Sequence, residues 1–134
     1  MTVTAVYGTL RQGLYNNYLL EGAKFLGFAE TVDNCTMYSR GGFPILSFHD
    51  GEGPAKVELY EVDDNILRRL DMLEGYRGED SRDNWYNRTR KTFLMEGTEA
   101  DPLHIEAFIY HQDQPQQYPV VSSGDWLTYR GRAF

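Results

Sequence analysis

Cysteine, long apolar runs and positive charge are all scarce in this 134-residue chain. Its one cysteine, Cys35, excludes a disulfide within the chain, and no Cys and His residues have the spacing of a structural zinc site. No apolar stretch approaches the length that spans a bilayer, and residues 1–4 lack the regions of a signal peptide. We therefore expect a cytoplasmic protein with no membrane partner.

Acidic residues outnumber basic ones by 20 to 13, which gives a formal net charge of -7. Such a surface does not suit the neutralisation of many phosphates, so nucleic acid is not an expected partner. The chain also lacks the glycine pattern and lysine of a P-loop. Ten Tyr, seven Phe and two Trp instead supply large side chains that can line a pocket for a small molecule. The length fits a single domain over residues 1–134.

Runs of aromatic and β-branched residues, separated by Asn, Gly and Pro, predict a mostly β protein. The predicted strands span residues 2–7, 24–31, 35–39, 45–48, 55–62, 85–94 and 104–110, and a short helix is predicted over residues 14–20. We expect the second, third and fourth strands to pair with one another in antiparallel fashion.

One helix is clearly marked, with Asp63 as its cap and Gly75 as its C-terminal stop. Its apolar stripe, predicted to face the sheet, consists of Ile66, Leu67, Leu70 and Leu73. At about 100° per residue, Glu74 falls inside this stripe and Asp71 falls at its margin. A buried, unpaired carboxylate has a raised pKa and can act as a general acid or base. The alternative is a glutamate at a frayed helix end that reaches solvent.

A second candidate site is the run Val-Tyr-Gly-Thr-Leu-Arg-Gln-Gly at residues 6–13. It joins the end of an apolar strand to a turn with several unpaired backbone amides, which can hold an anion. The alternative is an ordinary turn in which Gly8 supplies a positive φ.

Seven short segments, spread in order along most of the chain, together form a distinctive pattern. They are Tyr7-Gly8-Thr9-Leu10 with Arg11 and Gly13, Phe43-Pro44, residues 58–63, Leu70-Asp71 with Glu74-Gly75-Tyr76, Tyr86-Asn87-Arg88, residues 107–110, and Ser123-Gly124-Asp125-Trp126. In these segments the chain resembles the γ-glutamylcyclotransferase-like superfamily, which includes γ-glutamylamine cyclotransferase and the plant avirulence-induced-gene-2-like proteins.

The resemblance implies an α+β, mostly β fold, with a small mixed β-barrel and flanking short helices. It also implies a catalytic glutamate at Glu74. The backbone of Tyr7, Gly8, Thr9 and Leu10 would bind the γ-glutamyl group.

The reaction implied by the resemblance converts a γ-glutamyl amine or γ-glutamyl peptide into 5-oxoproline and the free amine. The substrate's own α-amine attacks its γ-carbonyl, so one carboxylate can move the protons and no metal or other cofactor is expected. The alternative function is a non-catalytic module that binds a small carboxylate or a protein. The resemblance leaves the oligomeric state open.

Three further expectations concern the surroundings of this site. Tyr86 and Tyr110 either touch substrate or are core tyrosines with satisfied hydroxyls. The polar loop over residues 76–85 is expected to rim the pocket. Trp126 is expected to be buried and to pack the C-terminal segment against the barrel.

Overall fold

The computed structural model describes residues 2–49, 51, 53–79, 81–96, 103–113 and 117–132. Within these ranges the chain forms seven β-strands, two α-helices and one 3-10 helix. In chain order they are β1 (Thr2–Val6), the 3-10 helix (Asn17–Leu20), β2 (Lys24–Thr31), β3 (Thr36–Ser39), β4 (Pro44–Ser47), β5 (Lys56–Val62), α1 (Asp64–Glu74), β6 (Asn87–Met95), β7 (His104–His111) and α2 (Trp126–Arg132).

Five strands close into a barrel in the order β1-β5-β2-β6-β7. Neighbouring strands are antiparallel except β1 and β7, which run parallel with Thr4 opposite Phe108 and Ala5 opposite Ile109. β3 and β4 form a separate antiparallel pair. The predicted α+β, mostly β fold with a small mixed barrel and flanking short helices is confirmed.

The structure corrects two local expectations and adds one element. β2 pairs with β5 and β6 rather than with β3, because its eight residues match the longer barrel strands while the four-residue β3 pairs with its hairpin neighbour. The helix predicted over residues 14–20 is only the 3-10 helix, and the side chain of Asn16 bonds Thr9 instead of capping a longer helix. α2 was not predicted, because seven residues are too few to show a helical repeat.

The barrel interior combines small and large side chains. Ala5, Ala29 and Ala107 are buried together with Phe93, and each exposes at most 2% of its surface. Alanines leave room for bulkier residues inside a barrel of only five strands. Trp126, at the start of α2, is fully buried against this cluster, which confirms its predicted burial.

α1 packs on a second buried cluster through Ile66 and Leu70. This cluster also contains Val6 and Leu10, at the end of β1 and in the loop that follows. Burial of each aliphatic side chain of this kind contributes about 1.5–3 kcal/mol. The C-terminal turn of α1 is thereby held beside the loop that follows β1. Leu73 does not belong to the buried stripe, since it is 41% exposed on the turn that extends past the cluster.

Candidate active site

α1 has a defined beginning and a defined end, and Glu74 is its last residue. The carboxylate of Asp63 accepts a hydrogen bond of 2.8 Å from the amide of Ile66, which caps the first turn. Gly75 adopts the left-handed conformation with φ 64°, and its amide donates to the carbonyl of Met72. Both ends therefore lie where the sequence predicts them.

The end of α1 is fixed by the chain that enters β6. The amide of Trp85 donates to the carbonyl of Gly75 at 3.0 Å, and the amide of Tyr86 donates to the carbonyl of Glu74 at 3.1 Å. These bonds oppose fraying of the last turn. Glu74 is therefore held in place by main-chain hydrogen bonds on its C-terminal side.

Next to Glu74 lies a cavity of about 470 Å³, which is of the size that holds a small molecule. The sequence-predicted site residues all line it, although they come from three separate parts of the chain: Tyr7, Gly8, Thr9, Leu10, Glu74 and Tyr86. Tyr110 and Pro44 are also part of its wall. The structure thus brings the carboxylate and the loop after β1 together around one space.

Glu74 is the only charged side chain among the described residues that line the cavity. Within the described part of the chain, its carboxylate accepts no hydrogen bond and meets no cation. Removal from water without a compensating partner raises the pKa of Glu74 from 4.5 to about 7. The group can therefore take up and release a proton near neutral pH.

The loop after β1, which lines the same cavity, presents backbone donors. The amides of Gly8, Thr9 and Leu10 donate no hydrogen bond to any residue that the structure describes. The next amide along, that of Arg11, donates to the carbonyl of Gly8 at 3.0 Å. The first three amides are therefore available to an anion or to a polarised carbonyl oxygen.

Gly8 is required for a reason other than the one considered from sequence. It does not have a positive φ, unlike Gly13 and Gly75 among the described glycines. Instead, a Cβ atom at Gly8 would lie 2.7 Å from Cδ and 2.8 Å from Cγ of Pro44. The loop after β1 and the start of β4 thus approach each other too closely for any side chain at this position.

Two tyrosine hydroxyls in the cavity wall donate to main-chain carbonyls. Tyr7 bonds the carbonyl of Tyr110 at 2.6 Å, and Tyr86 bonds the carbonyl of Pro44 at 3.1 Å. Burial, followed by smaller contributions that include the Glu74 charge, raises the pKa of both phenols. Because each hydroxyl proton is already engaged, the phenol oxygens offer lone pairs as acceptors.

A buried ion pair anchors the loop after β1, and the sequence alone did not identify it. Nε of Arg11 lies 2.7 Å from the Glu58 carboxylate, and both side chains are at most 5% exposed. Glu58 also accepts from the amide of Gln12 at 2.9 Å and from the hydroxyl of Tyr60 at 3.0 Å. Arg11 reaches Asp125 at 2.9 Å as well, which ties the loop to the start of α2. Arg11 and Glu58 both belong to the seven segments of the sequence that resemble the superfamily, here called the family-like segments. This shared membership is the sequence signal that could have indicated a contact between them.

A second network supports the cavity wall from behind. The hydroxyl of Tyr110 donates to Asp71 at 2.7 Å, and Nη1 of Arg88 lies 2.8 Å from both carboxylate oxygens of Asp71. Burial and the bond to Asp71 raise the pKa of Tyr110. Asp71 therefore positions a wall residue, so it is more than the marginal helix residue that the sequence indicated.

The polar loop over residues 76–85 contributes less than expected. Among its described residues only Trp85 lines the cavity, and its side chain is 60% exposed. The hydrogen bonds of Asn84 to the amide of Arg77 and the carbonyl of Gly78 close the rest of the loop on itself. Of the described residues of this loop, which was expected to rim the pocket, Trp85 alone does so.

No group of three or more His, Cys, Asp or Glu side chains in the described ranges is arranged to hold a metal ion. No described helix is long and apolar enough to cross a membrane.

The chain thus combines a small closed barrel with a cavity that is lined by one carboxylate and by a loop with free backbone amides. A family model described as Gamma-glutamyl cyclotransferase, AIG2-like, matches residues 4–128. The chain therefore belongs to this family, and its resemblance to the superfamily is confirmed.

Individual proteins agree with this assignment. A Methanocaldococcus jannaschii protein, provisionally named a gamma-glutamylcyclotransferase, is 31% identical over 133 residues, which cover 98% of this chain and 100% of that protein. The bovine protein named gamma-glutamylaminecyclotransferase is 35% identical over 113 residues, which cover 78% of this chain and 62% of the bovine one. A crystal structure of a Pyrococcus horikoshii protein has a TM-score of 0.72 at 26% identity and covers 99% of this chain and 96% of that one.

Proposed function

We propose that the protein is a cyclotransferase that converts a γ-glutamyl amine or γ-glutamyl peptide into 5-oxoproline and the free amine. Glu74 is the general acid and base, and no metal or other cofactor takes part. The observation that carries the proposal is the position of the unpaired Glu74 carboxylate in the same cavity as the free amides of Gly8, Thr9 and Leu10. The name of the bovine relative supports the same class of substrate.

The proposed reaction needs only proton transfers from the protein. Glu74, in its ionised form, takes a proton from the substrate's α-ammonium group, and the freed amine attacks the γ-carbonyl carbon. A new C–N bond closes the five-membered ring and gives a tetrahedral intermediate. Glu74 then gives its proton to the departing nitrogen, and the original C–N bond breaks as the carbonyl re-forms. The ring nitrogen still carries one extra proton, which the Glu74 carboxylate takes and passes to the free amine, so that the products are the neutral lactam and an ammonium ion. A carboxyl with a pKa of about 7 can perform these transfers at neutral pH.

The wall of the cavity complements a γ-glutamyl group in charge. The amides of residues 8–10 can hold its α-carboxylate or the oxyanion that develops on the γ-carbonyl. The phenol oxygens of Tyr7 and Tyr86 can accept hydrogen bonds from its α-ammonium group, since their own protons are engaged elsewhere. Holding the chain folded in this way favours ring closure, because the attacking and attacked atoms are kept together.

Turnover of synthetic substrates tests the proposal. The purified protein is incubated with a panel of γ-glutamyl amines and γ-glutamyl dipeptides, and 5-oxoproline is quantified by chromatography with and without a chelator. We expect product in both conditions, and a Glu74→Gln sample prepared in parallel controls for contaminating enzymes. Tight binding of the panel without any 5-oxoproline would instead indicate a non-catalytic binding module.

A further inference from the structure

Arg40, in the loop between β3 and β4, lies beside the cavity in a cage of aromatic rings. Its Cζ atom is 5.7 Å from the ring centre of Phe43, 5.3 Å from that of Trp85 and 5.4 Å from that of Tyr118. Phe43 and Trp85 also line the cavity. The rings hold the guanidinium by cation–π attraction, which places a positive charge at the edge of a cavity that has no positively charged side chain among its described lining residues.

The Arg40 guanidinium has no anionic partner among the described residues. No described carboxylate lies within ion-pair distance of it, and none of its N–H groups bonds a described acceptor. Arg11 and Arg88, by contrast, each bind a carboxylate. Contacts with ring faces do not satisfy N–H donors, so the donors of this partly exposed side chain are free to bind a ligand.

Arg40 lies beside the outer part of the cavity, because its guanidinium contacts the ring of Trp85. Tyr7 and Tyr86 are buried and Glu74 is half-buried, and in the proposed reaction these inner residues surround the glutamyl half of the substrate. Trp85 and Met72, which are 60% and 81% exposed, form the mouth. The half of the substrate that departs must therefore lie at the mouth, beside the ring of Trp85 that contacts Arg40. The Arg40 charge also acts on Tyr86, where it opposes the rise in pKa caused by burial and by Glu74.

We infer that Arg40 binds a carboxylate on the departing half of the substrate. The preferred substrates are then γ-glutamyl amino acids or peptides, whose departing amine carries a carboxylate, rather than simple γ-glutamyl amines. Arginine suits this role because its planar fork binds a carboxylate through paired hydrogen bonds. The exposed apolar side chains of the mouth fit an apolar side chain on the departing residue. This inference rests on the proposed function and selects between its two substrate classes.

A matched pair of substrates tests the inference. γ-Glutamyl-phenylalanine and γ-glutamyl-phenethylamine differ only in the carboxylate of the departing amine. We expect the wild-type protein to favour the first by about tenfold or more in kcat/KM, the scale of a charge-assisted hydrogen bond. Arg40→Gln should bring this ratio close to one, mainly by raising KM for the carboxylate substrate, and Arg40→Lys should give an intermediate ratio.

Arg90→Gln is the matched control. Arg90 is an exposed arginine on β6 that contacts the Phe108 ring at 5.1 Å but does not line the cavity, so the variant loses the same charge and a similar ring contact. Its substrate ratio should equal that of the wild type. Turnover of both substrates with no preference, a preference for the amine, or an unchanged ratio in Arg40→Gln would overturn the inference and leave the proposed function intact. No 5-oxoproline from either substrate would overturn both.

Discussion

The amide of Tyr86 donates a hydrogen bond to the carbonyl of Glu74 at 3.1 Å, while the hydroxyl of Tyr86 donates to the carbonyl of Pro44. One residue thus connects the last residue of α1 to the start of β4. Pro44 in turn packs against Gly8. This chain of contacts joins the end of α1 to the loop after β1, and the proposed proton transfer requires these two parts of the site to be held together.

Gly8→Ala should damage the site through packing. The added Cβ would meet the Pro44 ring at 2.7 Å, so the loop after β1 must move away from β4. Because a shift of about 1 Å at a reacting group can cost a hundredfold in rate, we expect kcat/KM to fall by at least tenfold. Gly53→Ala is the control, since a Cβ there meets no atom within 4 Å. Equal activity in the two variants would show that the Gly8–Pro44 contact does not position the amides.

Arg11→Met should destabilise the fold strongly. The Glu58 carboxylate is fully buried, and loss of Arg11 would leave its charge without a cation. Breaking such a pair costs about 3–5 kcal/mol in the free energy of unfolding, which urea denaturation can measure. The double variant Arg11→Met with Glu58→Gln should recover part of this loss, because the unpaired charge is removed as well. A double variant less stable than Arg11→Met would contradict this account of the pair.

Glu74→Gln should stabilise the protein in a pH-dependent way. The folded-state pKa of about 7 lies above the ordinary value of 4.5, so the folded protein holds this proton more tightly than the unfolded chain. The associated stability is fully present below pH 4.5 and is lost as the pH rises through 7. A shift from 4.5 to about 7 corresponds to roughly 3 kcal/mol as an upper limit.

The difference in free energy of unfolding between Glu74→Gln and wild type is the quantity to measure. It should be near zero at pH 4 and should favour the variant at pH 8. Urea titrations at both pH values provide it. A difference that is the same at both values would mean that the Glu74 carboxyl is not desolvated in the folded protein.

Local patterns in the sequence were sufficient for much of the fold and of the site. The capped amphipathic helix placed Glu74 at its C-terminal end, and the apolar strand followed by glycine placed the loop over residues 7–10. Both signals lie within a dozen neighbouring residues, where periodicity and turn chemistry are strong. The family-like segments then predicted that these two parts would meet.

Contacts between distant residues were not predictable in the same way. Arg11 and Glu58 are 47 positions apart, and nothing in either local pattern distinguishes a buried ion pair from two surface charges. The aromatic cage of Arg40 likewise combines three separate parts of the chain. Leu73 fitted the helical repeat and is nevertheless exposed, because periodicity does not show where the packed surface ends.

The choice of control for the acid–base test also depends on the structure. Asp71, one turn before Glu74, binds Arg88 and the hydroxyl of Tyr110, so Asp71→Asn would disturb the cavity wall. Glu106, an exposed residue of β7 whose side chain makes no hydrogen bond or ion pair with a described residue, is the better choice. Glu106→Gln removes the same charge without touching the cavity.

The most direct test of the account is the pH dependence of 5-oxoproline formation by wild type, Glu74→Gln and Glu106→Gln. Wild type and Glu106→Gln should show kcat/KM falling about tenfold per pH unit below an apparent pKa of about 7, because the base must be ionised. Glu74→Gln should retain its fold and lose a hundredfold or more in kcat/KM at pH 8. Near-wild-type turnover by Glu74→Gln, with the same acid limb, would contradict the central claim that Glu74 transfers the protons.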